Sequence, residues 1–135
     1  MNAMNVTPQE RSHVLRLKQD AERARQAAWA HRVENLSGRV REVLASTPGA
    51  PITVYLFGSW ATGRFDGESD TDLLVIAPTE KAAREVQRRL MDVGDDVVAF
   101  CESDWERRLS ARDPFICRVS AERLLLAWTG DGQDG

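Results

Sequence analysis

Leu56-Phe57-Gly58-Ser59-Trp60-Ala61-Thr62-Gly63-Arg64-Phe65-Asp66-Gly67-Glu68-Ser69-Asp70-Thr71-Asp72-Leu73-Leu74-Val75-Ile76 is the stretch that decides how this chain folds. It reads as the end of a strand, a Gly-Ser turn, a short segment punctuated by glycine, and a second strand. The second strand opens with two acids one residue apart. Side chains two apart on a strand share a face, so Asp70 and Asp72 are expected to aim their carboxylates at one point. Convergent carboxylates repel one another and are stable mainly when a cation lies between them. Gly58 and Ser59 follow a run of β-branched and aromatic residues. A glycine there lets backbone amides approach an anion closely and cradle a phosphate. A phosphate device beside a metal device points to a nucleotide–magnesium site.

Upstream of this stretch the chain reads as helix. Thr7-Pro8-Gln9-Glu10 combines a capping residue, a proline suited to the first helical position and a glutamate three after the cap. Val14, Leu17, Ala21, Ala24, Ala28, Val33, Leu36, Val40 and Val43-Leu44 then recur at helical steps. Gly38 weakens the helix locally, and Thr47-Pro48-Gly49 ends it. From about Asn35 the helix is expected to pack on a sheet. The earlier half has a thin alanine stripe, and its other faces carry Arg11, Arg16, Lys18, Arg23, Arg25 and Arg32. Such a helix either lies along its own domain or packs against another chain.

Pro51 to Phe57 is the first strand, and Trp60-Ala61 begins a short helix whose amides face the phosphates. Asp72 to Ala77 is an apolar run expected at the centre of a sheet. Pro78-Thr79 starts a further helix, stopped by Gly94. Val97 to Phe100 is a third strand, entered through Asp95-Asp96. Ser103-Asp104-Trp105-Glu106 reads as a second capping box, Pro114 opens another helical turn, and Leu124 to Trp128 is a closing strand. The glycine- and acid-rich end after Thr129 is expected to be disordered.

The composition bounds the class. The chain has 135 residues, 42% hydrophobic and 29% charged, which suits one soluble domain with its own core. No apolar run approaches a membrane span, and a cytoplasmic protein is expected. Cys101 and Cys117 lack close-spaced partners, so neither a zinc site nor a disulfide framework is suggested. The net charge of −3 does not favour a general nucleic-acid binder, so nucleic acid enters only as a substrate.

Gly58-Ser59, ten residues, then Asp70-x-Asp72 resembles the signature of the nucleotidyltransferase superfamily whose best-known member is DNA polymerase beta. The compact chain resembles the minimal nucleotidyltransferases, over roughly Ile52 to Trp128. The resemblance implies an α/β (α+β) nucleotidyltransferase fold: a small mixed β-sheet with helices packed mainly on one face, behind a long N-terminal helix. It divides the chain into an N-terminal helical extension (1–34), a catalytic domain (35–129) and a tail (130–135). In the superfamily a third carboxylate on a neighbouring strand completes the metal site, and Asp96 is the better match, with Asp95 the fallback. Asp70, Asp72 and Asp96 are thereby implied as catalytic residues and as ligands of two Mg2+ ions. Gly58 and Ser59 would seat the β- and γ-phosphates of ATP or another NTP, and Arg64 would reach a triphosphate oxygen. The common pattern often has an arginine where this chain has Thr62, and Arg64 stands in for it.

Minimal members resemble antitoxins that work beside a helical HEPN-type ribonuclease toxin, in several cases transferring AMP to a tyrosine of it. The implied activity is transfer of a nucleoside monophosphate, AMP from ATP, to a hydroxyl of such a partner protein. An RNA end or small molecule as acceptor, and a non-catalytic module inhibiting its partner by contact, are the alternatives. The N-terminal helix would serve either a homo-oligomer or the complex with the toxin.

Overall fold

A computed structural model describes residues 7–47, 51–66 and 69–129. The expectations for Pro48, Gly49, Gly67, Glu68 and the tail 130–135 lie outside them. Five helices and four strands follow in the order α1 (Pro8–Ala45), β1 (Ile52–Phe57), α2 (Ser59–Thr62), β2 (Asp72–Ala77), α3 (Glu80–Arg89), β3 (Asp96–Cys101), α4 (Glu102–Ser110), α5 (Pro114–Glu122) and β4 (Leu124–Thr129). The contacts divide the chain into two units between Arg32 and Val33.

In the first unit α1 begins as its sequence dictates. The Thr7 N–H donates to Glu10 Oε1 (2.8 Å) and the Glu10 N–H to Thr7 Oγ1 (3.1 Å), a reciprocal capping box. Residues 7–28 are exposed throughout. The alanine stripe is exposed with the rest of this segment, and Val14, Leu15 and Leu17 stand about half exposed. The helix continues without interruption through Gly38.

The second unit is built on a mixed sheet of order β3-β2-β1-β4. β1 runs antiparallel to both β2 and β4, and β2 runs parallel to β3. Alternation along the strands sends Ile52, Val54, Leu56, Leu73, Val75, Ala77, Val97 and Ala99 to one face. There they meet Leu36, Val40 and Leu44 of α1 and Ala83, Val86 and Leu90 of α3 in the main core. The packing is heaviest on this face. The opposite face carries a smaller core in which Phe57 and Leu74 meet Trp105 of α4 and Ile116 and Val119 of α5.

Three local readings are corrected. The Ser103–Glu106 capping box does not form: α4 already starts at Glu102, after a Cys101 cap that makes no side-chain bond. Ser103 lies inside the first turn, its hydroxyl 3.5 Å from Cys101 Sγ. Gly94 does not stop α3, which ends at Arg89 with Leu90 as its cap. Glycine is required at 94 for another reason: a Cβ there would lie 2.8 Å from Leu73 Cδ1, inside the main core. And Asp70 lies before β2 rather than on it, the strand itself having its expected bounds, Asp72–Ala77.

The register between β1 and β4 shifts after Val54, which pairs with Ala127 while Tyr55 pairs with Leu125. Leu126 is the extra residue of this bulge, and both Leu126 and Ala127 are buried. The Leu126 carbonyl accepts the Ser37 hydroxyl of α1 at 2.6 Å.

Candidate active site

β1 ends at Phe57, just before Gly58 and beside the starts of β2 and β3, and this junction holds Gly58, Asp72 and Asp96. Phe57 pairs with Asp72 across β1 and β2, and Asp72 pairs with Asp96 across β2 and β3. Paired residues on adjacent strands share a face and stand about 5 Å apart, so the sheet brings Asp72 and Asp96 side by side. Asp70, exposed on the approach to β2, is close enough to act on Asp72 electrostatically.

Asp72 is the electrostatic centre. Partial burial first, then the charges of Asp96, Asp70 and Asp95, push its carboxyl up to about 6. Among the described residues, no three His, Cys, Asp or Glu side chains are gathered closely enough to hold a metal ion. The donor chemistry nevertheless fits a hard cation: every candidate is a carboxylate oxygen, and the negative charge crowded on Asp72 is what a divalent ion would offset.

Gly58 has φ 80° and ψ −152°, a backbone region essentially reserved for glycine. A Cβ on it would collide with Oδ2 of Asp72. The Gly-Ser turn thus passes directly against the first carboxylate of β2, which joins the two halves of the motif physically. Ser59 starts α2, whose single turn closes on Gly63 in the left-handed region (φ 81°, ψ 6°). The Ser59 carbonyl accepts the Arg64 N–H at 3.0 Å, and Arg64 is exposed. Thr62, where the family pattern often has an arginine, turns its hydroxyl inward to the Gly58 carbonyl (3.2 Å).

Asp95 and Asp96 separate clearly in role. The Asp95 carboxylate accepts the Thr71 N–H (2.8 Å), and the Asp95 and Asp96 N–H groups both approach the Thr71 carbonyl (2.9 and 3.2 Å). Asp95 is therefore a turn residue that ties the entrance of β3 to the residue before Asp72, and Asp96 is left beside Asp72.

Sequence reasoning passed over the residues that hold this loop. Thr71 is almost fully buried and anchors the β2–β3 junction. Trp60 stacks on Phe65 (4.2 Å, 10° between planes), and its indole N–H donates to the Ser69 carbonyl (3.2 Å). Phe65 is buried, so the stack gives the loop before Asp70 a small apolar anchor. Two aromatics inside a loop of glycines and acids were the available signal.

The chain matches the nucleotidyltransferase domain family over residues 37–122. It belongs to that family. The matched region runs from α1 to the end of α5 and takes in Gly58, Ser59, Asp70, Asp72 and Asp96. Comparison with curated proteins and with solved structures returned no match. As a nucleotidyltransferase, the chain places its signature Gly-Ser and its aspartates at one junction of its sheet. No helix among the described residues is long and apolar enough to cross a membrane.

Proposed function

We propose that this chain is a magnesium-dependent nucleotidyltransferase that transfers AMP from ATP to a hydroxyl of a partner protein, as the antitoxin of a HEPN-type toxin. The observation that carries the reading is the junction itself, where Asp72 and Asp96 are register partners and Gly58 lies against Asp72. Asp70, Asp72 and Asp96 would hold magnesium, which when bound supplies charge neutralisation for the triphosphate and the departing pyrophosphate. Gly58 and Ser59 position the phosphates, and Arg64, exposed at the rim, meets a triphosphate oxygen. Asp96 takes the proton of the attacking hydroxyl. The hydroxyl oxygen bonds to the α-phosphorus as the bond from that phosphorus to the bridging oxygen breaks, and pyrophosphate leaves.

The partner reading rests on the N-terminal unit. An uncovered helix with exposed Val14, Leu15 and Leu17 and six basic side chains suits contact with another chain, in a homo-oligomer or with the toxin. Incubating the chain with labelled ATP, magnesium and a candidate HEPN-type partner protein tests the reading. Label on that protein is expected. Label on RNA instead would move the acceptor, and tight binding without label would make the chain a contact inhibitor.

A further inference from the structure

β3 is an edge strand, with β2 on one side and no strand on the other among the described residues. Its sequence, Asp96 to Cys101, carries one charge at its first residue and no lysine, proline or glycine. Lysine and proline are among the devices that usually keep an edge from pairing with another chain, and beyond Asp96 this strand has no charge either. Beside this edge lies a groove of about 420 Å³, lined by Arg84, Gln87 and Arg88 of α3, by Met91 just beyond its end, and by Asp95, Asp96 and Val97. The α3 residues recur at helical spacing, so one face of α3 forms one wall and the start of β3 the other. Met91 is 61% exposed.

We infer that this groove receives an extended, acidic peptide segment, which adds to β3 as a further strand and presents a side-chain hydroxyl to Asp96. The docking is independent of catalysis, whereas the role of the hydroxyl rests on the proposed transfer reaction. Strand addition to a free edge takes its affinity from main-chain hydrogen bonds and its selectivity from alternate side chains. Gln87 already donates its amide to the Val97 carbonyl (2.7 Å), as an N–H of a docked strand would donate to an edge carbonyl.

Alternation then dictates the pattern recognised. Asp96 shares a face with Asp72, whereas Val97 shares the face on which α3 packs. A docked residue beside Asp96 places its side chain on the face of the carboxylates, about 5 Å away. Its immediate neighbours point to the α3 face, where Arg84 and Arg88 stand. Those guanidiniums pair with Glu80 and Glu85 along the helix. Exposed pairs of this kind are weak, and each guanidinium has five donors, so both can turn to an incoming carboxylate. The recognised segment is therefore a hydroxyl residue with an acidic residue on each side. At the reaction the hydroxyl oxygen of that residue bonds to the α-phosphorus, its proton passes to Asp96, and pyrophosphate departs.

The test uses the full chain and three fluorescent nine-residue peptides. One has a tyrosine flanked by glutamates, one has lysines instead, and one is the acidic peptide N-methylated at alternate backbone nitrogens. Anisotropy is expected to show the acidic peptide binding at least ten-fold tighter than the other two. Arg84→Glu with Arg88→Glu, and separately Met91→Glu at its exposed site, should each remove that preference. With labelled ATP and magnesium, tyrosine of the acidic peptide should take the label. Equal affinity for all three peptides, or binding insensitive to N-methylation, overturns the docking. Label on a protein acceptor or an RNA 3′ end that ignores the α3 variants overturns the groove and keeps the transfer. The expected binding without label overturns the transfer and the role of Asp96 while the docking stands.

Discussion

A Cβ on Gly58 would collide with Oδ2 of Asp72, so the Gly-Ser turn and the start of β2 in this nucleotidyltransferase are packed directly against each other. Gly58→Ala therefore suffers twice, from a positive φ and from collision with Asp72. The backbone strain alone costs about 1–3 kcal/mol. Gly63→Ala, also at positive φ but with nothing within 4 Å of its added Cβ, should lose only about 1–2 kcal/mol. Urea denaturation compares the two, and calorimetry with magnesium–ATP should show binding lost in the first variant alone. Equal binding in both would mean that Asp72 does not hold the ion.

The carboxyl of Asp72 gives a pH prediction. Its folded value, about 6, lies above the ordinary 3.8, so the folded state holds the proton more tightly than the unfolded chain. Its contribution to stability is thus greatest below the unfolded value and is lost as pH rises through about 4 to 6. The Tm of Asp72→Asn relative to wild type should therefore rise between pH 4 and 7 in magnesium-free buffer. A difference that is flat with pH, or that falls, would contradict the crowded carboxylates.

Asp95 and Asp96 should behave oppositely. Asp95→Ala removes the acceptor of the Thr71 N–H and should cost about 1–3 kcal/mol. Asp96→Asn removes one of several like charges and should leave the Tm level or raised while abolishing transfer. The same ordering of Tm and activity loss in both variants would refute the division of roles.

Ser37→Ala should cost about 1 kcal/mol, because the bulged Leu126 carbonyl loses its hydroxyl donor. Magnesium–ATP affinity should not change. A melt identical to wild type would show that solvent replaces the bond without loss.

Removing residues 8–26 should leave nucleotide affinity intact and lower either the mass in solution or the affinity for the partner. The deleted segment is exposed along its whole length, and a helix of this kind draws most of its stability from packing. Sedimentation and a binding titration with the candidate HEPN-type partner protein check this, and no change in either would refute it.

Much of the fold was legible because it depends on local chemistry. The Thr7–Glu10 capping box, the apolar run of β2 and the helical turn opened by Pro114 act over a few residues, and each formed where its residue types required or close by. Local patterns also misled. Ser103 to Glu106 has the composition of a helix start, yet the chain already enters α4 at Glu102, directly from the end of β3. Gly94 looked like a helix stop, and its missing side chain in fact makes room for Leu73, which arrives from another strand.

The sequence by itself determined which residues were candidates: a Gly-Ser turn after a strand, and aspartates around the starts of two later strands. It also showed that the N-terminal half of α1 carries only a thin alanine stripe among basic side chains. Only the tertiary structure set Asp96 beside Asp72 and tied Asp95 to Thr71, through the parallel pairing of β2 with β3. Only it joined Gly58 to Asp72, and only it put β3 at the edge of the sheet among the described residues. Composition and spacing report the chemistry a segment can perform. Which segments face one another is set by register and packing between residues far apart in the chain, and no local pattern carries that information.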